Sequence, residues 1–167
     1  MVVSLFYFLL NFDNPTASSL WNPLDLPYSF YKNGRIDKAI KLIEDLGYYL
    51  FTETPNKEID SFWTNSTIDY FTGITLYLFE NATEEEINLN SIYSLANELA
   101  DEKIAHKILE EIDKTSAVYY NLIGTLTSPL ETKGGIIATF NQKLKKYISL
   151  KNLATMLSTS NFDIKEV

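Results

Sequence analysis

Trp21-Asn22-Pro23-Leu24 divides this chain into two kinds of sequence. On its N-terminal side the apolar run Val2–Leu10 is closed by Asn11 and Asp13, a pattern that predicts a short buried strand over Val2–Phe12. On its C-terminal side helical periodicity runs almost unbroken to Ser158. A strand, a Pro-anchored turn and then only helices is the order expected of a helical domain inserted in a larger α/β protein. The predicted architecture is an all-α bundle of about seven helices with a short N-terminal strand remnant.

Outward from that turn, Asp13-Asn14-Pro15-Thr16 and Asn22-Pro23-Leu24-Asp25 are turn signals, Pro27 continues the irregular stretch, and Asn33-Gly34 is a further turn. The first helix is predicted over Ile36–Phe51, with Ile36, Ala39, Ile40, Ile43, Leu46 and Leu50 in one apolar stripe. Pro55 closes that region. A second helix covers Ser61–Glu80, with Ser61, Thr64 or Ser66 as N-cap and Trp63, Phe71, Ile74 and Leu78 inward. Asn81–Glu86 reads as an acidic loop. Asn88 or Asn90 caps a third helix through Leu99, and a fourth spans Glu102–Ile112. A fifth runs from Thr115 or Ser116 to near Thr127, where Ser128-Pro129 stops it. Glu131–Ile148 and Ser149–Ser158 complete the set. Gly134-Gly135 costs the sixth helix about 1 kcal/mol per glycine relative to alanine, a cost consistent with close packing or a kink.

Composition narrows the function classes. The 167 residues suit one domain with a sizeable core, and 46% apolar residues with 22% charged ones are ordinary for a globular chain. With no cysteine and a single histidine, His106, thiolate and histidine-cluster metal sites are excluded. The apolar run Val2–Leu10 falls well short of the roughly 20 residues of a membrane helix, and it lacks the basic flank of a signal peptide. No phosphate-binding loop of the G-x-x-x-x-G-K-[ST] kind occurs, nor an apolar strand ending in an acid. The chain is therefore expected not to be an enzyme: no catalytic residues, no metal and no cofactor of its own. Glu84-Glu85-Glu86 and Glu110-Glu111 read as a solvated loop and a helix surface rather than a converging acid/base pair, and His106 as a surface or packed histidine.

Charge supplies the one site-like feature. Net charge is −8, yet Thr132–Phe162 holds five lysines (Lys133, Lys143, Lys145, Lys146, Lys151) and no acid, which leaves −13 for the rest. Lys143, Lys145 and Lys146 fall on the arc opposite Ile136, Ile137, Phe140, Leu144, Tyr147 and Ile148. Two readings stand for Lys143, Lys145, Lys146 and Lys151. One is an ordinary solvated helix surface. The other is contact with a nucleic-acid backbone or an acidic partner, where lysine acts as a point charge and Tyr147 or Phe162 could stack on bases.

Four blocks in fixed order carry a resemblance. Trp21-Asn22-Pro23-Leu24 resembles the Asn-Pro-Leu way into the helical domain of the coupling-protein ATPases of type IV secretion and conjugation, the TraG/TraD-like family. Ser61-Phe62-Trp63-Thr64-Asn65-Ser66, with Phe71-Thr72-Gly73 and Leu76-Tyr77-Leu78, is similar to its Phe-Trp-x-x-Ser helix. Gly134-Gly135-Ile136-Ile137-Ala138-Thr139 resembles a late segment, and Ser158–Ile164 its Ser-x-x-x-Phe-Asp return to the nucleotide-binding domain. Thr67-Ile68 departs from the Ala-Arg that many relatives carry, so no basic role transfers there.

The resemblance implies residues 1–19 as strand remnant and linker, 20–164 as the all-α domain and 165–167 as the start of the return. It implies a cytoplasmic recognition module of an inner-membrane motor that makes no membrane contact itself. Its candidate partners would be relaxase or relaxosome proteins, single-stranded DNA, and the motor domain of the parent hexamer, which would bind ATP and Mg outside this chain. The alternative is a structural or allosteric cap that regulates the motor without binding substrate.

Overall fold

The computed structural model describes residues 9–52 and 61–162. Among them are eight α-helices and no strand: α1 (Asp25–Lys32), α2 (Ile36–Phe51), α3 (Ser61–Asn81), α4 (Leu89–Glu98), α5 (Glu102–Glu111), α6 (Ala117–Leu126), α7 (Leu130–Ile148) and α8 (Lys151–Met156). Short 3-10 turns occupy Pro15–Ala17 and Glu84–Glu86. The all-α bundle is as the periodicity predicts. Most of the anticipated strand over Val2–Phe12 lies outside the described residues. Leu9–Phe12 form no strand. Instead Leu9 folds back on Ser19, whose N–H donates to the Leu9 carbonyl at 2.7 Å.

Helix α1 departs from the sequence reading, which left Pro27 in an irregular stretch. Pro27 is the third residue of α1, where an N–H has no partner inside the helix anyway, so the missing donor costs little. Tyr28 and Tyr31 then pack edge-on against Phe79 at 5.0 and 5.5 Å. Helix α1 ends in a Schellman motif: Gly34 N–H donates to Tyr31 C=O and Arg35 N–H to Phe30 C=O. Gly34 takes the left-handed conformation this needs, φ 73°.

The caps of the later helices follow ordinary chemistry. Asn88 Oδ1 accepts from the N–H groups of Asn90 and Ser91, Asp101 Oδ1 from Lys103 and Ile104, and Ser116 Oγ from Tyr119. Helix α6 ends at Leu126, ahead of the Ser128-Pro129 stop, and Pro129 is also the N-cap of α7.

Helix α3 is the axis of the bundle, contacting α2, α4, α6 and α7. Tyr70 through Leu76 are all buried, so the helix has no solvent face there and no one-sided stripe. Two of its buried hydroxyls turn inward on their own helix, Thr67 Oγ1 donating to Trp63 C=O and Thr75 Oγ1 to Phe71 C=O, while Thr72 Oγ1 makes no hydrogen bond among the described residues. Around it an aromatic core joins three helices. Phe140 of α7 stacks on Phe51 of α2 at 5.4 Å and meets Tyr70 of α3 edge-on at 5.6 Å.

Glycines set the crossings with α3. A Cβ on Gly73 would stand 2.7 Å from Leu122 of α6, and one on Gly135 of α7 would stand 2.7 Å from the Trp63 ring. A Cβ on Gly47 of α2 would meet Ile68 and Phe71 at 3.2 Å. Gly135 thus has the close-packing role that the Gly134-Gly135 pair suggested. Gly134 meets nothing within 4 Å.

Candidate interface for nucleic acid and partner

At the turn Trp21–Leu24 the segment before α1 meets the segment that follows α8. Trp21 N–H donates to Met156 C=O at 2.8 Å, and Asn161 N–H to Leu20 C=O at 3.2 Å. Leu20 N–H donates to Asn161 Oδ1 and Asn22 N–H to Ser160 Oγ. Asn22 is 3% exposed. Its Nδ2 donates to Ile87 C=O at 2.7 Å while its Oδ1 accepts from Leu24 N–H at 3.1 Å. One side chain therefore ties the turn, the α4 approach and the buried Leu24 together. The segments around Leu20–Asn22 and Met156–Asn161 are joined by these bonds into an irregular stem beside α1 and α8.

The lysines singled out from sequence lie near the end of α7 and at the start of α8, the helix that leads into that stem. Helix α7 buries Ile136, Ile137, Phe140 and Leu144 and leaves Lys145 and Lys146 exposed in its last turn, where cations complement the helix dipole. Lys151 is exposed at the start of α8, which carries Met156 into the stem. Lys143 is half-buried, and both it and Lys146 already make interactions within the chain. Tyr147 packs on the core, which argues against a stacking role, and Phe162 is half-buried.

Lys133 does not belong to this surface. It is 3% exposed in the first turns of α7, and its Nζ has no hydrogen-bond acceptor. The exposed cations are thus Lys145, Lys146 and Lys151, with Lys143 at their inner margin.

The acidic groups behave as surface charges. His106 pairs with Glu110 at 3.2 Å on the exposed face of α5. Glu84 pairs with Lys32 at 2.9 Å, linking α1 to the Glu84–Glu86 turn. Glu86 Oε2 accepts from both the N–H and the hydroxyl of Thr83, and these bonds hold its carboxyl below the usual range. Among the described residues no group of three acids or histidines converges as a metal site.

Sequence reasoning missed two features. Asn22 was read as a turn former and as part of the Asn-Pro-Leu block, without the buried side-chain bonds that it makes to Ile87 and Leu24. A pair of basic residues, Arg35 and Lys38, also flanks Phe30 at 4.8 and 4.2 Å from its ring.

The family model for type IV secretory system conjugative DNA transfer matches residues 4–167. The chain belongs to that family. The match takes in all four blocks that carried the resemblance. Membership gives the chain a part in conjugative DNA transfer by type IV secretion. No curated protein and no solved structure matches it. No helix among the described residues is long and apolar enough to cross a membrane.

Proposed function

We propose that this chain is the substrate-receptor domain of a conjugative coupling protein, on the cytoplasmic side of the membrane, which receives relaxase–DNA and performs no reaction itself. Residues 20–164 would be the all-α domain inserted between halves of a nucleotide-binding motor, with 1–19 and 165–167 leading from and back to it. ATP and Mg would act in that motor. The observation that carries the reading is the placement of Lys145, Lys146 and Lys151. In a family that moves DNA, they are exposed at the end of α7 and the start of α8, the helix that leads into the stem, in a segment without a carboxylate. Lysines so placed can neutralise backbone phosphates without reading sequence.

The stem supports a second reading, the allosteric cap. Asn22 connects the Ile87 carbonyl directly to residues that hydrogen-bond the outgoing segment, so movement of the helical body would reach the motor through few bonds. Charge reversal separates the two. With Lys145, Lys146 and Lys151 all changed to Glu in the whole coupling protein, the receptor reading predicts lost DNA transfer at normal ATP turnover. Altered ATP turnover with intact relaxase binding would favour the cap instead.

A further inference from the structure

A groove runs between the C-terminal half of α3 and α4, with a volume of about 490 Å³. That lies in the range of roughly 300–1,000 Å³ typical of pockets that hold a ligand. Each wall is a single helix face. Tyr77, Leu78 and Ala82 come from α3 and the residue after it; Leu95 comes from α4. All four are half-buried and packed on the core, so the floor is apolar and firmly supported. Positions on α4 recur at steps of four, from Asn90 through Ser94 to Glu98, giving the wall a helical repeat along its length.

The rim is negative. Glu86 and Glu98 line the groove directly, and no lysine or arginine does. Burial raises the Tyr77 phenol's pKa, and the charges of Glu111 and Glu80 push it the same way. Glu86 is held in place by Thr83. Glu111 pairs with Lys107 at 4.0 Å on exposed surface. The surrounding segment, residues 80–113, contains ten acids and two lysines.

We propose that this groove docks a basic amphipathic helix of a protein partner, with its apolar side chains on Tyr77, Leu78 and Leu95 and its Lys or Arg side chains meeting Glu86 and Glu98. Charge complementarity selects that occupant over nucleic acid, which Glu86 and Glu98 on the rim repel. A helix suits the site because no strand edge borders it and both walls repeat at four residues. The inference rests on the receptor reading and assigns the protein part of the cargo to this face, leaving the lysines of α7 and α8 for its DNA.

The test uses the 167-residue chain and a labelled 16-residue peptide with Leu at every fourth position, flanked by Lys and Arg. Controls are a scrambled peptide and one with Glu for each basic residue. Amide chemical shifts are expected to move along α3 and α4, and neither control should move them. Glu98→Lys and Ser94→Arg, both at exposed positions, should each weaken binding at least 10-fold with unchanged circular dichroism. Equal binding of the scrambled peptide, shifts elsewhere, or full affinity in both variants would overturn the groove assignment. The relaxase of the same conjugative element provides the separating arm. If it binds the chain but ignores both variants, the groove is wrong and the receptor reading stands. If it fails to bind while the peptide still docks, the receptor reading fails and the groove remains as a peptide site.

Discussion

Asn22 concentrates more of this fold in one side chain than any hydrophobic residue does. Truncating it to Ala leaves the Ile87 carbonyl and the Leu24 N–H without their buried partners, at about 1–3 kcal/mol for each group left unpaired. Urea unfolding should show that loss, whereas Asn14→Ala, at an exposed position, should change little. Lys133 is the opposite case, a side chain whose removal should help. Its ammonium is buried without an acceptor, so Lys133→Met should leave stability unchanged or raise it by about 1 kcal/mol or more. Lower stability in that variant would show that the ammonium is compensated. Glu86 ties stability to pH. Its carboxyl titrates lower in the folded chain than when unfolded, because Thr83 donates to the charged form. The stabilisation is therefore present above the ordinary carboxylate pKa, about 4.3, and is lost as pH falls through the folded value. Glu86→Gln should flatten that part of the acid limb in a series of urea midpoints against pH. The roles of Asn22 and Lys133 could not be read from sequence, because they depend on the distant Ile87 carbonyl and on burial that composition does not reveal; the Glu86 role had a local signal, the S/T-x-x-E spacing of Thr83-Glu84-Glu85-Glu86.

At the scale of elements, the helices that were legible are those with one wet face and one dry face. Helix α2 was read with its observed bounds because Ala39 and Ile43 repeat on one side while charges fill the other. Helix α1 was missed because Pro27 suggested a break, although Leu24, Tyr28 and Tyr31 already had helical spacing. The crossings were not legible at all: nothing in the sequence says which glycine faces a neighbour. They make a sharp prediction. Gly73→Ala gains about 1 kcal/mol of helix propensity but drives a methyl into Leu122, which is fully buried and cannot move aside, at a cost of about 1–3 kcal/mol. Gly124→Ala, in α6 with open space around it, should stabilise by up to about 1 kcal/mol. Thermal midpoints of the two variants should move in opposite directions.

For the molecule as a whole, the division of charge matters more than its total. The family and the helical class were legible from the order of the motif blocks, and the basic character of α7 and α8 from a segment with lysines and no acids. What the fold added is which lysines reach solvent, a distinction that removes Lys133 and leaves Lys145, Lys146 and Lys151. It also brought Glu98 of α4 and Glu86 of the Glu84–Glu86 turn to one groove floored by α3 and α4 side chains, a juxtaposition that no single stretch of sequence displays. A domain with a basic end and an acidic groove suits a cargo that is part nucleic acid and part protein. The most direct test is equilibrium binding of the cognate relaxase, loaded with single-stranded DNA, to this chain across a salt series. The account predicts saturable binding that weakens as salt rises, and that drops at least 10-fold when Lys145, Lys146 and Lys151 become Glu. Absence of saturable binding even at low salt would contradict it.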